Sequence, residues 1–187
     1  ADFGKAGAKK VKHFAKNSDD DIILHDVDIV PKKHVIEKYY SAKVGKNKIL
    51  GIYGWGSSIG GVSKLSRSTF EMINGFPTNY WGWGHEDLAL KLRVELTDIS
   101  YTVIHHAKTE SSKQNYSILS APAHESIEYQ LNPKNPNAIF SEYFRRCCLE
   151  NKINIIQRSG LSTTHFKILR HLTLDNDSSV ELFTVDI

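Results

Sequence analysis

The sequence predicts an α/β domain, a mixed sheet with flanking helices. Three observations predict it. Ile22-Ile23-Leu24 is a short continuous apolar run, dense and brief as buried strands are. Strand-like runs alternate with stretches that carry helix starts and stops, as where Ser66 precedes a run halted by Asn74-Gly75. Acids or histidines stand directly behind two of the strands, at Asp26 and Asp28 and at His105-His106, and open α/β sheets bind ligands beyond their strands' carboxyl ends.

Length and composition bound the rest. A chain of 187 residues suffices for one well-cored domain. Lys and Arg are scattered and the net charge is only +3, so a nucleic-acid partner is not expected. No apolar run approaches the roughly 20 residues that span a bilayer, so no membrane segment is expected. No signal peptide is visible, and the first residue is Ala, as in a processed or shortened chain. Cys147 and Cys148 are adjacent, a spacing that disulfides tolerate only with strain, which implies free thiols and a cytoplasmic location. The sequons at Asn115 and Asn176 suit a secretory lumen instead.

Taken in order, residues 1–18 read as a Lys-rich helix with a loose apolar stripe. The strand at Ile22 runs into His25-Asp26-Val27-Asp28. If it continues through Val27, Asp26 and Asp28 point the same way, and two such carboxylates repel unless a cation sits nearby. That favours a divalent metal carrying a diphosphate; a solvated turn is the plainer reading. A helix follows at about Lys32 to Tyr40, then a strand from Lys48 to Tyr53. The glycine-rich stretch from Gly54 to Gly61 has neither P-loop nor dinucleotide spacing, which leaves close backbone approach to a ligand or a flexible loop. Val62 to Leu65 is a strand, and Ser66 caps a short helix to Ile73.

Next comes Asn79-Tyr80-Trp81-Gly82-Trp83-Gly84-His85-Glu86-Asp87. Indole faces suit the C–H face of a sugar, and glycines let such a loop swing. Glu86 and Asp87 open a helix reaching about Thr97, either as capping acids or as functional groups near the positive end of its dipole. Tyr101 to Ile104 is a strand ending in His105-His106; imidazole with carboxylates favours Mn. Residues 107–139 carry three prolines and no period, and read as a long surface loop or lid inserted in the domain. Phe140 to Glu150 reads as helix and Ile153 to Gln157 as a short strand. Thr164 to Leu174 and Val180 to Val185 read as a hairpin closing the sheet. There is no internal repeat.

These residues resemble the beta-1,4-galactosyltransferase family of inverting GT-A glycosyltransferases. Its motifs occur in family order as Asp26-Val27-Asp28, Gly60-Gly61-Val62-Ser63, Asn74-Gly75-Phe76-Pro77 and Trp81 to Asp87, with Ser159-Gly160-Leu161 and Thr184-Val185-Asp186 behind them. The likeness covers nearly the whole chain. It implies a GT-A-like (Rossmann-like) catalytic domain over residues 1–187, its C-terminal portion, without the first nucleotide-binding strands. It implies Mn2+ as cofactor and UDP-galactose or UDP-N-acetylgalactosamine as donor to a glycan acceptor. By similarity Asp28 and His106 would bind the metal, with Asp26 and His105 as further candidates, and Asp26 would also hold donor ribose. Asp87 would be the base and Glu86 its supporting acid. Trp83 would close over donor sugar, and Gly60, Gly61 and Ser58 would line the donor and acceptor site.

Three positions depart from the family. Val103 replaces a metal-ligating Met, so His105 or water would complete the coordination. Leu88 replaces an acid that helps hold acceptor. Ser58 replaces a bulky residue that excludes N-acetylated donors, which implies room for UDP-N-acetylgalactosamine. Were the family activity absent, the motifs would suit a GT-A domain of capsule polymerase or peptide N-acetylgalactosaminyltransferase type, or an inactive sugar-binding relic. A eukaryotic secretory enzyme would sit in the Golgi lumen.

Overall fold

The computed structural model describes residues 17–54, 58–78, 80, 85–107, 109–119, 134–136, 138–139, 146 and 160–163, and the backbone of 167–173 and 181–186. The expected elements over 1–16, 140–150 and 153–157, both cysteines, Asn176 and all three tryptophans lie outside the described residues.

The central sheet has four strands: β1 (Asp21–His25), β3 (Lys48–Gly54), β4 (Val62–Ser66) and β5 (Ser100–His106), in the order β1-β4-β3-β5. β4 is antiparallel to both β1 and β3, while β5 is parallel to β3. β1, β3 and β5 therefore all finish at one end of the sheet. Asp26, Gly54 and His106 stand at that common end.

Apolar side chains on the two faces of this sheet make two cores. On one face Ile49, Leu65, Phe70, Ile73, Leu90 and Val94 pack together under α2 (Arg67–Met72) and α3 (Glu86–Glu95). Ser66 starts α2 as expected, its hydroxyl accepting from the Thr69 amide at 3.2 Å. Asn74 and Gly75 stop it, both left-handed, at φ 57° and 63°. On the other face Ile29, Val35, Ile52, Tyr53, Val62 and Tyr116 pack under β2 (Ile29–Pro31) and a helical segment, α1 (Lys33–Val35), that continues as a π-helical turn, Ile36–Tyr40.

Two expectations are corrected. Residues 107–139 are not one loop: α4 (Glu110–Asn115) is capped by Thr109, and β6 (Tyr116–Ile118) pairs antiparallel with β2. A Thr cap and a three-residue strand leave too little periodicity to read. The C-terminal hairpin does form, from β7 (Lys167–Thr173) and β8 (Glu181–Asp186), but it is a separate two-stranded sheet that does not close the main one.

Candidate active site

At the common strand end, hydrogen bonds fix the first acidic segment. The Asp26 amide donates to the Gly61 carbonyl at 2.8 Å, so the turn after β1 is tied to the glycine pair before β4. The Ile29 amide reaches back to the Asp26 carbonyl, and the Leu119 amide donates to the Asp28 carbonyl at 2.8 Å. The segment behind β6 thus holds Asp28 from the far side. Gly61 adopts φ +85°, and a Cβ there would lie 2.9 Å from the Tyr53 carbonyl oxygen, so this turn requires glycine.

The second acidic segment arrives on α3. His85, left-handed at φ 71°, precedes it and supplies no side-chain cap, while Glu86 and Asp87 occupy the first turn. The Asp87 carboxylate lies against Gly60: a Cβ on Gly60 would fall 1.9 Å from Asp87 Cγ and Oδ1. The missing side chain at position 60 is what lets the carboxylate reach the strand end. Gly60→Ala is expected to destabilise the fold by about 1–3 kcal/mol through overpacking. In Gly60→Ala/Asp87→Gly most of that loss should return, a non-additivity that urea melts measure.

The two segments share one electrostatic neighbourhood. Much of the Asp26 residue reaches solvent, yet its carboxyl is raised to about 6 by desolvation and then by the Asp28 and Glu86 charges. Asp87 is raised to about 7 by desolvation and then by Glu86 and Asp26. Glu86 Oε2 is buried without a hydrogen-bond partner among the described residues. Tyr53, fully buried at the end of β3, is raised by burial and then by Asp28 and Asp26. Sequence reasoning missed Tyr53, since a strand tyrosine carries no sign of what it faces; its place next to the Gly54 loop was the available hint.

The structure therefore brings together Asp26, Asp28, Glu86, Asp87, Gly60 and Gly61. Ser58 is buried beside them in the same loop, with its hydroxyl unpartnered among the described residues. His106 ends β5, in register with Gly54, and is exposed. His105 points elsewhere: it is buried edge-on to Tyr39 and Tyr116, and its Nδ1 lies 3.1 Å from the Ser111 hydroxyl. Burial, then Lys38 and His34, pushes its pKa down. Alternation along β5 puts neighbouring histidines on opposite faces, and the tyrosine core takes His105. Among the described residues no three His, Cys, Asp or Glu side chains converge to hold an ion by themselves. Trp83 lies outside the described residues.

A further cluster anchors the turn after α2. Arg93, fully buried on α3, donates from Nη1 to the carbonyls of Asn74 and Gly75, each at 3.0 Å, and of Ile73 at 3.3 Å. Asn74 grips the 160–163 turn: its carbonyl accepts from the Leu161 amide, its Oδ1 from the Ser162 amide at 2.8 Å, and its Nδ2 donates to the Ser162 hydroxyl at 3.0 Å.

Solved structures place this architecture in a class. The chain superposes on the catalytic domain of Drosophila beta-1,4-galactosyltransferase 7 in complex with xylobiose, with a TM-score of 0.69, 19% identity, and coverage of 98% of this chain and 74% of that one. A mutant of the same protein, in complex with manganese, UDP-Gal and xylobiose, matches with a TM-score of 0.66 at 21% identity and the same coverage. The fold is accordingly that of a GT-A glycosyltransferase catalytic domain.

Sequence comparison narrows the class. Residues 44–117 match the family described as the N-terminal domain of galactosyltransferase. Beta-1,4-galactosyltransferase 4 of Rattus norvegicus is 36% identical over 118 residues, covering 51% of this chain and 32% of the relative. The Homo sapiens protein of that name is 35% identical with the same coverage, and beta-1,4-galactosyltransferase 7 of Drosophila melanogaster is 31% identical over 101 residues. In sequence over part of its length, and in fold, the chain is similar to the beta-1,4-galactosyltransferases. It spans about a third of the length of these curated relatives.

Proposed function

We propose that this chain carries the catalytic site of an inverting, Mn2+-dependent galactosyltransferase that moves galactose from UDP-galactose to a hydroxyl of a glycan acceptor. One observation carries the proposal: the carboxylates behind β1 and those opening α3 occupy a single neighbourhood, and two of them, Asp26 and Asp87, have raised pKa values. Structural ion-pair clusters pair acids with bases; this one crowds acids together, as catalytic sites do. Manganese and UDP-Gal accompany the fold in the Drosophila complex.

The residues fit a hard divalent cation. Asp26 and Asp28 offer oxygen donors, and the repulsion that raises Asp26 is what a cation relieves. In this reading Asp28 and His106 hold the ion, with Asp26 beside them, and diphosphate and water complete the coordination. His105, packed among tyrosines, is not assigned. Bound there, the ion would neutralise charge developing on the diphosphate leaving group.

The chain's own residues do the rest. Asp87, held against Gly60, takes the proton from the acceptor hydroxyl; a carboxylate raised to about 7 is a competent base near neutral pH. Glu86 shares that field and holds donor or acceptor hydroxyls with its unpartnered oxygen. Gly60 and Gly61 let sugar approach the backbone, and Trp83 is assigned to covering the donor. Leu88, exposed at the next position of α3, contributes no charge to the acceptor.

The direct test is transfer from radiolabelled UDP-galactose to an acceptor panel, with and without Mn2+. No transfer and no donor hydrolysis under any condition would sink the proposal. Running UDP-N-acetylgalactosamine alongside tests the space left by Ser58, and strict rejection removes that part of the reading. The relatives named above come from Rattus norvegicus, Homo sapiens and Drosophila melanogaster, which favours the lumenal alternative over the cytoplasm.

A calorimetric readout checks the ion without turnover. Asp26 and Asp87 have folded values above the ordinary carboxylate value, so metal-free stability from their protonated forms is present at low pH and lost as pH rises through about 6 and about 7. Ion binding needs the carboxylates ionised. The melting temperature without metal is expected to fall from about pH 5 to about pH 8, while the rise produced by Mn2+ grows. A Mn2+ effect independent of pH, or unchanged in Asp28→Asn, contradicts this.

A further inference from the structure

The segment linking β2 to β3 concentrates positive charge. Lys32, Lys33, Lys38, Lys43, Lys46 and Lys48 lie within 32–48, all exposed, against one acid, Glu37. The whole chain is only +3, so the remainder is net acidic. Two of the lysines make ion pairs, Lys33 with Glu37 at 3.7 Å and Lys46 with Asp19 at 3.4 Å, both largely exposed and therefore weak, and Lys38 lies over the Tyr39 ring, 5.0 Å from its centroid.

Contacts show where this segment runs. His34 hydrogen-bonds Asn115 at 2.5 Å, beside His105 at the end of β5, so it starts at the site end of the sheet. Lys64 on β4, buried, donates to the Tyr40 and Ala42 carbonyls at 2.5 and 2.6 Å, which pins the segment halfway along the sheet. The Asn47 carbonyl accepts from the Ser100 amide at the opposite end. The lysines therefore follow the length of β3, seven residues or roughly 20 Å, away from the four acids.

We infer that this stripe holds an anionic portion of the acceptor glycan, one bearing carboxylate or sulfate groups, while its acceptor hydroxyl lies at the acidic site. The inference rests on the proposed transferase reading for the identity of the ligand as acceptor. A glycan is favoured over a lipid surface because Ile36, 43% exposed, is the one large apolar side chain prominent among the described residues of 32–48. Tied at its middle by Lys64 and running from the His34 end of the sheet to the Asn47 end, the stripe suits an extended polyanion better than a small ion.

The test is binding of the whole chain to a sulfated glycosaminoglycan oligosaccharide and to a neutral chito-oligosaccharide of equal length. The sulfated probe is expected to bind at least about ten-fold more tightly at low salt, and the advantage to shrink as salt is raised. Lys38→Gln/Lys43→Gln should remove most of the advantage and leave hydrolysis of UDP-galactose unchanged. Equal binding of the two probes, indifference to the double substitution, or preferential capture of phosphatidylserine vesicles or single-stranded DNA overturns the inference. Charge-dependent glycan binding without any turnover of UDP-galactose would instead sink the transferase reading and leave the stripe as a glycan-binding surface.

Discussion

Asp87→Asn is expected to lower galactosyl transfer by about 10²–10⁴-fold, the usual contribution of a positioned general base. The change keeps the size of the side chain, so its contact with Gly60 survives while its ability to accept the proton is lost. It also removes a carboxylate whose ionised form is disfavoured by burial and by Glu86 and Asp26. The variant should therefore melt no lower than the wild type at about pH 8, which separates loss of chemistry from loss of fold. Retained activity would move the base elsewhere, with Glu86, one residue away, the group to test next. A drop in melting temperature together with activity would make Asp87 a structural acid.

Arg93→Met is expected to cost about 3–5 kcal/mol of stability, the range for breaking a buried charged network. At this chain length that is roughly 10 °C in melting temperature. The guanidinium is fully buried and its pKa is lowered by desolvation to about 10, so it remains charged at neutral pH. Its Nη1 bonds three consecutive carbonyls where the chain turns from α2 toward the Trp-Gly segment, and methionine satisfies none of them. Gly160 packs on the same nitrogen: a Cβ there would fall 2.7 Å from Nη1 and 2.2 Å from the Asn74 carbonyl oxygen. A melting temperature within about 2 °C of wild type would show that the carbonyls find other partners.

These two residues mark the limits of reading the chain unaided. Asp87 was legible because two acids at a helix start follow an unusual aromatic-glycine approach, and because the motifs around it occur in family order. Arg93 was not, because a charged residue on a helix reads as a solvated one. The large apolar residues Leu88, Leu90, Leu92, Val94 and Leu96 step by two in the sequence, whereas the side chains α3 buries are Ala89, Leu90, Arg93 and Val94. Helical spacing from Leu90 passes through Arg93, and that was the signal available. The central strands were legible from apolar density. Their order was not, since the parallel contact of β3 with β5 depends on a crossover through α2 and α3 rather than on any local pattern. The brief β2–β6 ribbon escaped notice for want of length, although it is what tethers Asp28. His105 and His106 look equivalent in sequence; only the tyrosines packed on one of them tell the two apart.

The strand order also bears on how the chain acquires its shape. β3 and β4 are neighbours along the backbone and can zip together early, whereas β1 and β5 must each be captured from a distance, on opposite edges of that hairpin. Such long closures raise contact order and slow the search. The acidic cluster draws on β1 and on the crossover leading to β5, so it should be among the last features to mature. Refolding followed by metal affinity is therefore expected to lag behind refolding followed by far-ultraviolet dichroism.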